Sequence, residues 1–428
     1  MTPATNYPAN SPTVVFTGGG TAGHLFPGLA VARQLADRVP KLKILFAGGG
    51  RLQEQRLIRE AGFDCLTVPC HPAPRRLGDV IPFLTTSWSG YRTARQFLDG
   101  HSVQAVVGLG GYASVPMARA AARYRIPLVL LEQNAVPGRA NRWLAKHADV
   151  LCSAFTEVKH YLPPKCHWRV TGNPVRKAFL DSPQTESHHE TSERTIHGAH
   201  QQAGRRPSWP PLPTELTAPV GSVEAPPVQQ PMQLLVLGGS RGAQWLNTNV
   251  PLALAEIKKH FSGWRVIHQT GHDDREATDA IYRRLGIDAV VEPFIADVAK
   301  TLAETDATVC RAGGTTLAEL AVRGVPAVLV PYPHAADDHQ RKNAEVFAAA
   351  GACFLLDQRE VAERPEQSLA TQILPLIGNR KTRETMGKRM QALAHPEAAT
   401  DIATMIHRML PRAGLTPVGS TSRRQPTA

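Results

Sequence analysis

The sequence predicts an α/β protein built from two Rossmann-like domains, each a doubly wound parallel sheet. Two observations carry this expectation. An apolar run, a glycine-rich loop and a helical pattern occur in that order at residues 13–35 and again at 233–259. Strand-length apolar runs then alternate with helical periodicities through both halves, the pattern of parallel strands covered on both faces. The length of 428 residues suits two domains, each long enough to bury its own core.

In chain order, Thr13-Val-Val-Phe16 reads as the first strand, and Thr17-Gly-Gly-Gly-Thr-Ala-Gly-His24 is the loop that leads into a helix over 25–35. Further strands are expected at 42–47, 105–108 and 128–131, with a helix at 53–60. The second half opens with the strand Gln233-Leu-Leu-Val-Leu237, the loop Gly238-Gly-Ser-Arg-Gly242 and a helix over 243–259. Strands follow at 264–269, 289–292, 307–310 and 327–331, with a helix at 315–323. The domain plan is therefore 1–180, a junction over 181–231, 232–410, and a tail over 411–428. The junction is rich in Pro, Gln, Ser, Thr and His, has little apolar periodicity, and reads as a flexible insertion. The tail reads as disordered, and the last helix before it is expected to pack back on the first domain.

Composition narrows the function. No apolar run is long enough to span a bilayer, and residues 1–12 lack the charged start and apolar core of a secretory signal. The six cysteines are scattered without metal-type pairing and read as reduced thiols, so no metal is expected. The formal net charge of +12 suggests an acidic partner, such as a phosphorylated substrate or an anionic lipid surface. With no zinc finger, RNA-binding signature or arginine-rich helix, nucleic acid is not expected.

The glycine loops point to phosphate chemistry. Few side chains let an anion approach main-chain N–H groups, and the following helix N-terminus adds a positive end. Gly18, Gly20 and Gly23 have dinucleotide spacing, but the second strand ends in Phe46-Ala-Gly-Gly-Gly50 without the carboxylate a nicotinamide site needs. In Arg311-Ala-Gly-Gly-Thr-Thr-Leu-Ala-Glu319, Gly314, Thr315 and Thr316 suit a diphosphate and Glu319 suits ribose hydroxyls; a plain capping box on a surface helix would use the same residues. His24 suits a general base, a phosphate contact or a helix cap. Gln340 and Asn343 follow a strand end and suit sugar hydroxyls. Glu132, Gln133 and Asn134 place polar groups at another strand end. The adjacent pairs Asp273-Asp274 and Asp337-Asp338 read as solvated loop charges.

Together these residues resemble the MurG family of transferases, which complete the lipid-linked peptidoglycan precursor. The matching stretches are Gly19-Gly-Thr-Ala-Gly-His-Leu-Phe-Pro-Gly-Leu-Ala30, Gly108-Leu-Gly-Gly-Tyr112, Glu132-Gln-Asn134, Gly172-Asn-Pro-Val-Arg176, Gly238-Gly-Ser-Arg-Gly-Ala243, Arg311 to Glu319 and His334 to Gln340. They run collinearly over 13–176 and 233–410. The resemblance implies a GT-B fold, two Rossmann-like domains facing across a cleft. It implies transfer of N-acetylglucosamine from UDP-N-acetylglucosamine to the C4 hydroxyl of lipid I, the undecaprenyl-diphosphate-linked acceptor. The anomeric centre would be inverted, lipid II formed, and no metal or other cofactor required.

Position by position, the resemblance places Thr21, Ala22, Gly23, Asn134, Arg176, Ser240, the main chain at Ile295, Gly314, Thr315, Thr316, Leu317, Ala318, Glu319 and Gln340 around the donor. His24 is the expected base, and Gly110, Gly111 and Tyr112 the acceptor-diphosphate loop. Three departures stand out: Leu131 occupies a position where the family often has His, Ala22 one where Gly is common, and the junction over 181–231 is longer than the family's usual one.

The acceptor is anchored in a bilayer, so the resemblance also implies peripheral attachment to the cytoplasmic face of the bacterial inner membrane. Arg75, Arg76, Ile81, Phe83, Leu84, Trp88 and Arg92 mix basic, apolar and aromatic character suited to an anionic leaflet; a core helix with solvated arginines is the alternative. A transferase acting on another lipid, a non-catalytic sugar-nucleotide-binding subunit and a nicotinamide oxidoreductase are the rival readings.

Overall fold

The computed structural model describes residues 11–72, 74, 76–181, 231–239, 242–361 and 363–411. The first half runs β1 (Thr13–Thr17), α1 (Ala22–Arg38), β2 (Lys43–Gly48), α2 (Leu52–Glu60), β3 (Asp64–Thr67), α3 (Val80–Gly100), β4 (Val103–Gly108), α4 (Val115–Tyr124), β5 (Leu128–Glu132), α5 (Arg139–Leu144), β6 (Val150–Ser153), β7 (Trp168–Val170) and α6 (Lys177–Asp181). The second runs β8 (Met232–Leu237), α7 (Gln244–Glu256), β9 (Trp264–Gln269), α8 (Arg275–Leu285), β10 (Ala289–Glu292), α9 (Val298–Ala303), β11 (Ala307–Cys310), α10 (Gly314–Arg323), β12 (Ala327–Leu329), α11 (His339–Ala349), β13 (Cys353–Leu355), α12 (Pro365–Gly378), α13 (Arg380–Gln391) and α14 (Ala398–Met409).

Among the described residues the strands form two sheets, a seven-stranded one in the order β3-β2-β1-β4-β5-β6-β7 and a six-stranded one in the order β10-β9-β8-β11-β12-β13. All pairings are parallel, as two doubly wound domains require. In each sheet the order reverses beside the first strand of its half, between β1 and β4 and between β8 and β11, and ligands of such sheets bind outside the carboxyl ends at that point. The central strands are apolar without alternation because both faces are covered: Val14, Val15 and Phe16 are fully buried, as are Leu234, Leu235 and Val236.

The chain returns to its first half at the end. Ile402, Ala403 and Ile406 of α14 share a core with Val31, Leu35 and Phe16. The expected flexible junction and disordered tail fall, over 182–230 and 412–428, outside the described residues, as do Arg75 and Ser240.

Candidate active site

Two glycine loops meet at the carboxyl edge of the first sheet. Gly18, Gly19 and Gly20 leave β1 with φ of 138°, 132° and 98°, and Gly110 and Gly111 follow β4 with φ of 92° and 71°. The loops touch: a Cβ on Gly18 would stand 2.7 Å from the Gly110 carbonyl oxygen, and one on Gly111 would stand 2.7 Å from that of Gly19. Glycine alone meets both the conformation and the clearance. Glu54 accepts a hydrogen bond from Gly20 N–H at 2.6 Å. Arg51 donates to the Gly20 carbonyl at 2.6 Å and to the Tyr112 hydroxyl at 3.1 Å.

His24 lies in the first turn of α1, which opens at Ala22 in helical conformation, so the alanine there carries no left-handed strain. The half-buried imidazole rests on Gly110, with Nε2 3.4 Å from where that residue's Cβ would be. Its Nδ1 lies 3.0 Å from Thr21 Oγ1, so the ring engages a side chain and caps no main-chain group. Burial, reinforced by the nearby His339, lowers its pKa from 6.5 to about 4. The ring is therefore neutral at pH 7. In the tautomer whose Nδ1–H donates to Thr21, Nε2 keeps a lone pair for a proton.

The second sheet brings the N-terminus of α10 against these loops. Gly313 is the N-cap residue and supplies no side-chain cap, so the capping-box reading of this segment is not realised. Thr315 instead donates its hydroxyl across the cleft to the Gly23 carbonyl at 2.9 Å, with Asn173 Nδ2 3.5 Å from the same hydroxyl. Glu319, a turn further on, is buried and accepts from Arg176 Nη2 at 3.1 Å. Burial raises the Glu319 pKa while Arg176 opposes the shift. The Arg176 guanidinium lies between Phe26 and Phe179, 4.3 and 4.8 Å from their ring centroids. Leu317 is buried in the core, so its reach toward a ligand is limited to its main chain; Thr316 and Ala318 are half-buried beside it.

Around this junction a carboxylate organises the loop after β5. Glu132 is buried and accepts from Asn134 N–H at 3.0 Å, Gly138 N–H at 2.9 Å and Asn141 Nδ2 at 2.9 Å. Burial pushes its pKa up and these bonds pull it back. Asn134 in turn accepts from Asn343 Nδ2 at 3.0 Å. Among the described residues no group of three or more His, Cys, Asp and Glu side chains is disposed to hold a metal ion.

This geometry coincides with clear kinship. Residues 14–152 match the N-terminal domain of glycosyltransferase family 28, and residues 233–402 match the C-terminal domain. A relative from Pelobacter propionicus, named UDP-N-acetylglucosamine--N-acetylmuramyl-(pentapeptide) pyrophosphoryl-undecaprenol N-acetylglucosamine transferase, is 37% identical over 92% of this chain and 98% of its own. A relative of the same name from Trichlorobacter lovleyi is 36% identical over 90% of this chain and 95% of its own. The crystal structure of Acinetobacter baumannii MurG superposes with a TM-score of 0.65 at 28% identity, covering 93% of this chain and 99% of that one.

The chain belongs to the MurG family.

The UDP-GlcNAc 2-epimerase of Neisseria meningitidis, at 12% identity and a TM-score of 0.59 over 93% of this chain and 100% of that one, shares the fold alone. Within the MurG-family chain, the structure gathers Thr21, Gly23, His24, Asn134, Arg176, Gly314, Thr315 and Glu319 at the interdomain junction described above. Gln340 stands at the exit of β12, accepting from Tyr332 N–H at 3.0 Å. Ile295 is buried, and its N–H donates to Gln269 Oε1 at 3.0 Å.

Three expectations are revised. Asn343 does not face sugar hydroxyls: it is fully buried and also accepts from Ala135 N–H at 2.8 Å and donates to the Ala312 carbonyl at 3.1 Å. Asp337 is an exposed loop charge as expected, but not a free one: it pairs across the cleft with Arg142 and, at 3.4 Å, with Arg139, while Asp338 pairs with Arg359 at 3.2 Å. Asp274 accepts from Asn247 Nδ2 at 2.8 Å. The helical reading of the basic-aromatic segment needs both of its alternatives. Gly90, Ala94 and Leu98 of α3 are buried, whereas Leu77, Ile81, Leu84 and Trp88 are 92%, 72%, 58% and 63% exposed. Arg76 and Arg92 are exposed beside them, and Phe83 is half-buried. Arg51 and Glu54 carry no local signal in the sequence, because each acts through partners remote from it in the chain.

Proposed function

We propose that this chain transfers N-acetylglucosamine from UDP-N-acetylglucosamine to the C4 hydroxyl of the N-acetylmuramoyl-pentapeptide of lipid I, giving lipid II with inversion at the anomeric carbon. The observation that carries the reading is the meeting of a neutral imidazole, two glycine loops and an uncapped helix N-terminus at one junction, in a chain of this family.

His24 Nε2 takes the proton of the acceptor hydroxyl as that oxygen bonds to the sugar's anomeric carbon. The bond from that carbon to the UDP oxygen breaks, and the charge left on UDP is met by the α10 N-terminus, Thr315, Thr316 and Arg176. Glu319 receives the ribose hydroxyls, Gln340 the sugar hydroxyls, and Ser240, Ala22, Leu317, Ala318 and the Ile295 main chain complete the donor contacts. Gly110, Gly111 and Tyr112 border the acceptor diphosphate.

No helix among the described residues is long and apolar enough to cross a membrane. The exposed Leu77, Ile81, Leu84 and Trp88 with Arg76 and Arg92 support peripheral docking on an anionic leaflet, the cytoplasmic face of the inner membrane. The test is UDP release from UDP-N-acetylglucosamine in excess chelator, with and without a short-chain lipid I analogue. Acceptor-dependent release is expected; donor binding without turnover on that acceptor would overturn the reading.

A further inference from the structure

We infer that Arg51 is the cation that receives the diphosphate of the lipid-linked acceptor. This rests on the function proposed above and adds a residue to its acceptor side.

Two diphosphates must be accommodated in that reaction, one on each substrate. The donor's lies at the N-terminus of α10, where Arg176 supplies the cation already paired with Glu319. The acceptor's must lie on the other domain, near the glycine loops. Arg51 is the guanidinium at that place. It is exposed, stands just before α2, and is fixed at both Nη atoms, one on the Gly20 carbonyl at 2.6 Å and the other on the Tyr112 hydroxyl at 3.1 Å. A guanidinium carries five N–H groups, so these two bonds leave donors facing solvent. The nearby carboxylate of Glu54 is turned into the first loop, where it accepts from Gly20 N–H at 2.6 Å.

The placement also puts Arg51 on the loop that meets the base: His24 Nε2 lies beside Gly110, and Tyr112, whose hydroxyl accepts from Arg51, follows two residues later. On this assignment the acceptor's C4 hydroxyl meets His24, and its diphosphate lies toward the Tyr112 end of the loop, under Arg51. A planar fork of donors matches phosphate oxygens there, which a lysine ammonium matches less well.

The test compares two short-chain acceptors on wild-type and variant protein: a lipid I analogue, and a matched analogue in which an uncharged linker replaces the diphosphate. Arg51→Gln is expected to lower kcat/KM on the diphosphate acceptor by about tenfold or more, through acceptor KM. The KM for UDP-N-acetylglucosamine should stay within about twofold, and the uncharged acceptor should lose no further rate. Arg51→Lys should recover part of the loss. Equal losses on both acceptors, no loss on either, or a loss through donor KM would overturn the assignment. Failure of wild-type protein to transfer to either acceptor would instead overturn the proposed function, and the assignment with it.

Discussion

Thr315 and Gly23 join the two domains directly: the threonine hydroxyl donates to the glycine carbonyl at 2.9 Å, tying the N-terminus of α10 to the first glycine loop. Next to it, Gly314 is pressed so closely on the other domain that a Cβ would stand 2.0 Å from the Gln133 carbonyl oxygen. A side chain there forces the domains apart. Gly314→Ala is expected to cut transfer by about a hundredfold through misplacement of the reacting groups, with both sheets folded. Circular dichroism and small-angle scattering alongside kinetics check this; full activity at unchanged dimensions would refute the close-contact argument.

Asp337 holds the cleft from its rim. It and Asp338 adopt left-handed conformations, φ 52° and 55°, just before the helix that carries Gln340. Such positions store strain that surrounding contacts must hold, and here Arg139 and Arg142 of α5 supply those contacts. Asp337→Asn keeps a residue tolerant of that conformation and removes only the charge. Its effect on kcat/KM should be about two- to fivefold, given partial exposure, and should shrink at high salt. Combined with Arg142→Met, the losses should be less than additive; strict additivity would show that the pair does not act together.

Acid should destabilise the fold in a defined window. His268 is fully buried between Tyr282 Oη at 2.9 Å and Asn247 Oδ1 at 3.1 Å, and burial lowers its pKa from 6.5 to about 3. Below pH 6.5 the unfolded chain binds a proton that the folded chain refuses. Stability therefore falls as pH drops from 6.5 toward 3, and His24 contributes with the same sign between 6.5 and about 4. Urea titrations across this range should show a shallower slope in His268→Gln, although that variant is less stable at pH 7. An unchanged slope would contradict the assignment.

Ile81 and Trp88 expose large apolar surface on α3. Replacing both by Ser should weaken binding to phosphatidylglycerol vesicles by at least tenfold, measured by sedimentation. Binding at wild-type strength would place the membrane contact elsewhere.

The legible parts of this chain are those with local signatures. The strands at 264–269, 289–292 and 307–310 occupy the expected residues because each carries β-branched or aromatic residues bounded by turn or helix signals. β3, β6, β7 and β13 were not anticipated: β3 is half-exposed and contains Asp64, β7 and β13 are only three residues long, and β6, although buried, is a run of only four residues. The helix over 243–259 stops at Glu256 and continues as a 3-10 turn, Lys258–His260. The glycine loops are legible because their positive-φ geometry is a property of the residue itself. The pairing of Arg176 with Glu319, the burial of Asn343 between domains and the bridge from Arg51 to Tyr112 depend on how the domains meet, which no local pattern encodes.

The most direct test is the structure of the transferred linkage. Isotope-labelled UDP-N-acetylglucosamine and a lipid I analogue would be incubated with the protein and the product examined by nuclear magnetic resonance. Inverting attack by the C4 hydroxyl, with His24 as base, predicts a β-1,4-linked disaccharide that forms at least a hundredfold more slowly with His24→Ala. An α linkage, attachment at another hydroxyl, or free N-acetylglucosamine alone would contradict it.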